Sequence, residues 1–151
     1  MDYENITIQG FSIIGIAVRT TNQNGQSQKD IAELWGKFMG QGLMTHIPNK
    51  ASFEIYCVYT DYESDFTGAY TTILGCKVTS LDEIPEGFVG KKIPETIYKH
   101  YKAVGALPGC VGKTWGEIWQ SGIDRKYIAD FDVYGEKSQN PQNAEVDIFV
   151  S

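Results

Sequence analysis

The chain has 151 residues, 42% of them hydrophobic and 21% charged, which is the make-up of one folded domain with a substantial core. Its formal net charge of -6 argues against a nucleic-acid surface, because counterion displacement needs clustered Lys and Arg. No apolar run approaches the ~20 residues of a membrane span, and the opening MDYENITIQG has neither the basic nor the hydrophobic region of a signal peptide, so a cytoplasmic location is expected.

Residues 11–20, FSIIGIAVRT, are β-branched and apolar almost throughout, the pattern of a strand buried on both faces. The polar TNQNGQSQ breaks that pattern, and Ser27 with Asp30 three residues on predicts the cap of a helix. Ile31, Leu34, Trp35 and Phe38 then follow the i, i+3, i+4, i+7 rule, and Gly40 and Gly42 end the helix. Two strand-like runs follow at 53–59 and 69–79, joined by the turn-forming DYESDFTG. Residues 80–87, SLDEIPEG, read as a linker. A longer strand region at 88–104 is interrupted at Pro94, where a backbone donor is missing. A second helix over 110–120 sets Val111, Trp115, Ile118 and Trp119 along one side, and strands near 129–136 and 144–150 complete the chain. Cys57, Cys76 and Cys110 are odd in number and far apart, which favours reduced thiols, buried in the case of the first two.

The order repeats. Glu33-Leu34-Trp35 answers Glu117-Ile118-Trp119 at a spacing of 84 residues, and FEIY from Phe53 answers FDVY from Phe131 at a spacing of 78. Two copies of one supersecondary unit can bury faces that neither could bury alone. The expected architecture is a single α+β domain, residues 1–151, made of two β-α-β-β modules at about 9–80 and 87–151.

WGEIWQSG, ADFDVYGE and EVDIFVS resemble the end of the GyrI-like superfamily, also called the AraC-type effector-binding domain, and IYCVYTDYESDFTGAYTTILGCKV resembles the middle of its stand-alone branch. The resemblance covers most of the chain. It implies a pseudo-two-fold axis, an antiparallel curved sheet with two main helices on one side, and a ligand groove between the modules. Such domains are sensors of lipophilic, often cationic, small molecules when fused to a DNA-binding region, for which these residues leave no room. At Asp132 the family usually has Glu.

Alternation along a strand puts Glu54 and Tyr56 on one face, and Asp132 and Tyr134 on one face in the second copy. A pseudo-two-fold would bring the two acid-plus-tyrosine pairs to mirrored positions, where carboxylates and aromatic faces suit a cationic apolar ligand. The alternative is a partly solvated strand face with its acids at strand ends. Trp35, Trp115 and Trp119 either line the groove or form an aromatic core stripe. Glu117 is a candidate on the helix flank, although helix geometry turns it and Glu33 away from the apolar stripe. Tyr98, with His100 and Tyr101, lies on the first strand of the second copy.

The chain contains no G-x-S-x-G, H-E-x-x-H, phosphate loop or C-x-x-C, and its two histidines leave little for a metal, so no cofactor is expected. The expected partner is a small apolar or cationic ligand, with no direct binding of nucleic acid and no membrane. Two other readings stay open: hydrolysis of a reactive small molecule in the same groove, with Glu54 or Glu117 positioning water and Tyr56 or Tyr134 as donor, and docking of a protein partner on the acidic surface, in the manner of a gyrase inhibitor.

Overall fold

The structure, a computed structural model, describes residues 2–151. It consists of β1 (Glu4–Ile8), β2 (Phe11–Thr21), α1 (Gln26–Gly40), β3 (Ile55–Thr60), β4 (Ala69–Val78), β5 (Val89–Ile93), β6 (Thr96–Gly105), α2 (Gly109–Gln120), β7 (Ala129–Tyr134) and β8 (Ala144–Val150), with three short 3-10 turns between them. All eight strands belong to one antiparallel sheet in the order β1-β6-β8-β7-β3-β4-β2-β5. The two helices carry aliphatic and aromatic stripes that pack on the same side of it, α1 through Leu34 and Phe38 and α2 through Val111, Trp115 and Ile118. The fold is α+β, an antiparallel curved sheet with two helices.

Reading the strand order backwards and exchanging β1–β4 with β5–β8 returns the same order, so the topology is two-fold symmetric about the β3–β7 pair. Each half is β-β-α-β-β, and its first strand has left home. β1 pairs with β6 of the second half and β5 with β2 of the first. The short β1 strand, ENITI, carries a period-2 pattern that sequence reading passed over.

This exchange forces the sheet to roll. In a flat sheet β1 and β2 would stand six strand spacings apart, roughly 29 Å at about 4.8 Å each. The chain from Ile8 to Phe11 has only three Cα steps, about 11 Å at most. The link from Ile93 to Thr96 makes the same demand in the second half. The two links meet: a Cβ added to Gly10 would lie 3.2 Å from the Ile93 carbonyl and 3.5 Å from the Glu95 nitrogen. On this face Phe11, Tyr56, Tyr98 and Phe131 form a separate aromatic core, with Phe11 and Tyr98 packed edge-on to Phe131.

Helix α1 begins one residue before the expected cap. Gly25 holds the capping position with φ of 70°, the left-handed conformation glycine tolerates best. Ser27 is buried inside the first turn, and Asp30 accepts from Thr20 Oγ1 at 2.8 Å. Cys57 and Cys76 are buried free thiols, and Cys110 is a half-buried free thiol.

Candidate functional site

A cavity of about 490 Å³ lies between the helices on the helix side of the sheet. One wall is the side of α1 formed by Ser27, Gln28, Ile31, Ala32 and Trp35, spaced one turn apart. The opposite wall is α2, with Val111, Trp115 and Trp119 and two glycines, Gly109 and Gly112, that bare the helix backbone. A Cβ at either glycine would meet nothing within 4 Å, so these positions open the space rather than bring two elements together. Tyr59 and Tyr134 rise from β3 and β7 to form the floor, and Tyr62, Phe66, Tyr70 and Arg125 close one end from the adjoining loops and the start of β4.

The walls brace one another through their rings. Trp35 meets Tyr134 edge-on at 4.8 Å between centroids, and Trp115 meets Tyr59 edge-on at 5.5 Å. Each aromatic pair of this kind is worth about 0.5–1.5 kcal/mol beyond the area it buries. Trp119, 36% exposed, stacks on Phe66 with planes 6° apart and marks the rim.

Two carboxylates lie beneath this aromatic lining, both fully buried and both on the helix face of β7. Asp130 accepts from the Ser151 backbone N–H at 2.7 Å, from Ser151 Oγ, from Arg125 Nη2 at 2.7 Å and from the Tyr62 hydroxyl. Its charge is therefore matched by a cation. Asp132 has only neutral donors: the Tyr59 hydroxyl at 2.6 Å and the Trp115 indole N–H at 2.9 Å. Burial pushes its pKa up to about 7, the two hydrogen bonds hold it down against that, and Asp130 nearby adds a smaller upward push. The same buried surroundings raise the hydroxyls of Tyr59 and Tyr134 well above their usual range.

No Asp or Glu side chain touches the cavity itself; its negative charge sits one layer down, behind Tyr59 and Trp115. The arrangement suits a flat or globular aromatic ligand, held by rings and drawn by a carboxylate that it need not touch.

The model of the Cass2 family, integron-associated effector binding protein, matches residues 6–151. The chain belongs to that family. Its resemblance to the GyrI-like effector-binding domain rests on the same fold. An integron cassette protein of Vibrio cholerae, of known crystal structure, is 31% identical, with 99% of this chain and 95% of that one covered and a TM-score of 0.72. SAV2435, solved bound to tetraphenylphosphonium, shares the fold at a TM-score of 0.81 and 16% identity, over 99% of this chain and 93% of its own. A candidate transcriptional regulator of Bacillus subtilis, YobU, is 26% identical over 142 residues, 91% of this chain and 89% of the regulator. The Cass2 fold thus joins this chain to effector-binding domains related to transcription regulators.

Within the Cass2 fold the expected site residues divide. Trp35, Trp115, Trp119 and Tyr134 line the cavity, and Asp132 underlies it. Glu54 and Tyr56 do not mirror Asp132 and Tyr134. The β3–β7 ladder sets Cys57 opposite Asp132 and Ile55 opposite Tyr134, and directly opposite residues of an antiparallel pair point the same way. Glu54 and Tyr56 are one residue out of step and face the other side of the sheet, beside a small pocket of about 160 Å³ with Phe11 and Phe149. Tyr98 is fully buried in the aromatic core of that side. Glu117 is exposed on α2 and outside the cavity, as helix geometry requires of a residue two positions from Trp115 and Trp119. The hydrolytic arrangement needed Glu54 or Glu117 beside the ligand, and neither stands there.

Sequence reading passed over Tyr59, Tyr62, Tyr70 and Arg125. The three tyrosines belong to the run YCVYTDYESDFTGAY that carries the family resemblance, and that spacing was their signal. Arg125 had none, since its position depends on how the loop after α2 returns to Asp130.

Proposed function

We propose that this chain is a receptor for lipophilic aromatic cations, which enter between α1 and α2, lie against Trp35, Trp115, Trp119 and Tyr134, and are favoured by the ionised form of Asp132. The observation that supports this most strongly is the buried carboxylate beneath an aromatic cavity with no cation of its own, next to a neighbouring carboxylate that has one. A ligand cation would supply the missing partner. That SAV2435, with the same fold, was solved with tetraphenylphosphonium, a permanent lipophilic cation, points the same way.

The pKa of Asp132 gives the reading a sign. The groups that face it are Asp130 and Tyr134 on β7, Cys57 and Tyr59 on β3, Tyr70 on β4, and Trp115 on α2. Burial brings Asp132 into the neutral range, with a pKa of about 7, and pushes Cys57 and the tyrosine hydroxyls above their usual range. Tetraphenylphosphonium does not titrate, so any pH dependence of its binding belongs to the protein. Its affinity should rise by about five- to thirtyfold in all as pH increases through 7, and level off near pH 8. In Asp132→Asn the dependence should vanish, with an affinity at pH 8 lower by about 1–2 kcal/mol, the attraction expected across several ångströms at an effective dielectric near 20. Calorimetric titrations from pH 5.5 to 8.5 measure both. An affinity independent of pH in the wild type, or a pH-dependent one in Asp132→Asn, removes Asp132 from the account.

A further inference from the structure

Arg125 is the one basic residue among the described residues that line the cavity, and its side chain is only 4% exposed. Its guanidinium carries five donors, yet only Nη2 has a partner, Asp130; Nε and Nη1 are buried with no hydrogen-bond partner among the described residues. The guanidinium also packs over two aromatic rings, with its Cζ 4.4 Å from the Tyr127 centroid and 5.6 Å from the Trp115 centroid. Asp130 does not need the remaining donors, because Tyr62 and Ser151 already serve its two oxygens. Buried donors left without acceptors are uncommon in folded proteins, and at the wall of a cavity they mark where a ligand atom belongs.

Resting on the proposed binding cavity, we infer that its ligand is amphoteric: a lipophilic aromatic cation that also bears an oxygen acceptor of the carboxylate kind, received by the free donors of Arg125. Trp115 sits between the two polar requirements, with its N–H on Asp132 and its ring under Arg125. A ligand lying on Trp115 can therefore answer both, its cationic centre toward Asp132 and its oxygen toward Arg125. A bare lipophilic cation answers only the first. A planar guanidinium with pre-set geometry favours a carboxylate over a ligand with no acceptor by about tenfold or more.

Two probes of matched size separate these cases at pH 8: (4-carboxyphenyl)triphenylphosphonium and (4-methylphenyl)triphenylphosphonium. Wild-type protein should bind the carboxy compound about tenfold more tightly. Arg125→Lys keeps a positive charge beside Asp130 but loses the fork, and there the preference for the carboxy over the methyl compound should fall to within about twofold. The wild-type chain also carries its own direct reporter. It has two arginines, Arg19 and Arg125, so one of two Nε–Hε resonances should shift and become slow to exchange with the carboxy compound and stay unmoved with the methyl compound. That measurement holds even if Arg125→Lys does not fold. Equal or weaker binding of the carboxy compound by the wild type, or an Arg125 resonance indifferent to both, overturns the inference while leaving the cation receptor standing. Failure of both compounds to bind overturns the two together.

Discussion

Asp132 is shorter by one methylene than the Glu usual in the GyrI-like pattern, and its surroundings show what that difference does. Both its oxygens are taken by Tyr59 and Trp115, so it stays behind the lining instead of entering the cavity. Because its folded pKa of about 7 lies above the 3.8 of a free carboxyl, the folded state binds the extra proton. The stability it contributes is thus complete below about pH 4 and is lost as pH rises through 7, a difference on the order of 4 kcal/mol. Asp132→Asn should be more stable than the wild type at pH 8, by about 1–3 kcal/mol, with the gap closing toward pH 5. Subtracting one variant's urea-unfolding curve from the other's cancels what the rest of the chain contributes over that pH range. A constant gap across that range would mean that Asp132 is already ionised at pH 5. Trp115→Phe keeps the ring and removes the N–H donor. It should cost about 1–3 kcal/mol at pH 8 and less at pH 5.5, where the carboxyl is protonated. Equal losses at the two pH values would assign the cost to packing alone.

At the scale of elements, α2 has an unusual division of labour. Val111, Thr114, Trp115 and Ile118 are buried, while Gly109 and Gly112 face open space on the cavity side. Glycine inside a helix costs about 1 kcal/mol relative to alanine, so these positions trade helix stability for room. Gly112→Ala should therefore raise stability by about 0.5–1 kcal/mol, and Gly112→Leu should fold and melt at or above the wild-type temperature while placing an isobutyl group in the cavity. Thermal melts of the two variants decide this; a loss of more than about 1 kcal/mol in either would mean that the backbone there is not free. Sequence periodicity found both helices because each has a one-sided stripe, and it found six strand regions for their β-branched runs; the region 88–104, expected as one interrupted strand, is two strands, β5 and β6, parted at Pro94 and lying toward opposite ends of the strand order. It went astray at the strand repeat. FEIY and FDVY match letter by letter, but Glu54 and Asp132 stand on opposite faces, and a one-residue offset in a period of two exchanges every side chain between faces. Residue type cannot report that offset. Only the ladder, formed between chain segments 75 residues apart at Cys57 and Asp132, does so.

For the whole molecule, the exchange of β1 and β5 between halves ties the two copies into one sheet, and that sheet carries the two helices that face each other across the cavity. Within that sheet two glycines, Gly15 and Gly75, stand opposite each other where backbones approach closely. At the β2–β4 pair, a Cβ on Gly15 would lie 2.2 Å from the Leu74 carbonyl oxygen, and one on Gly75 would lie 2.0 Å from that of Ile14. Both are backbone contacts that cannot move aside, so Gly75→Ala should cost about 3 kcal/mol or more, or prevent soluble expression, although alanine is the smallest change available. Chemical denaturation of that variant with a near-wild-type midpoint would mean that the two backbones do not approach so closely there. No helix among the described residues is long and apolar enough to cross a membrane. The duplication was legible in the chain, whereas the strand exchange was not, because a five-residue strand such as ENITI carries no mark of which half it will join.

The proposed function requires that the space between α1 and α2 take up a ligand. Titration of tetraphenylphosphonium at pH 8 into wild-type protein and into Gly112→Leu, followed by tryptophan fluorescence, tests it most directly, since Trp35, Trp115 and Trp119 are the three tryptophans of the chain and all line the cavity. Saturable quenching at one ligand per chain is expected in the wild type, with affinity at least tenfold weaker in the folded variant. No saturable response in the wild type, or equal affinity in the two, would contradict it.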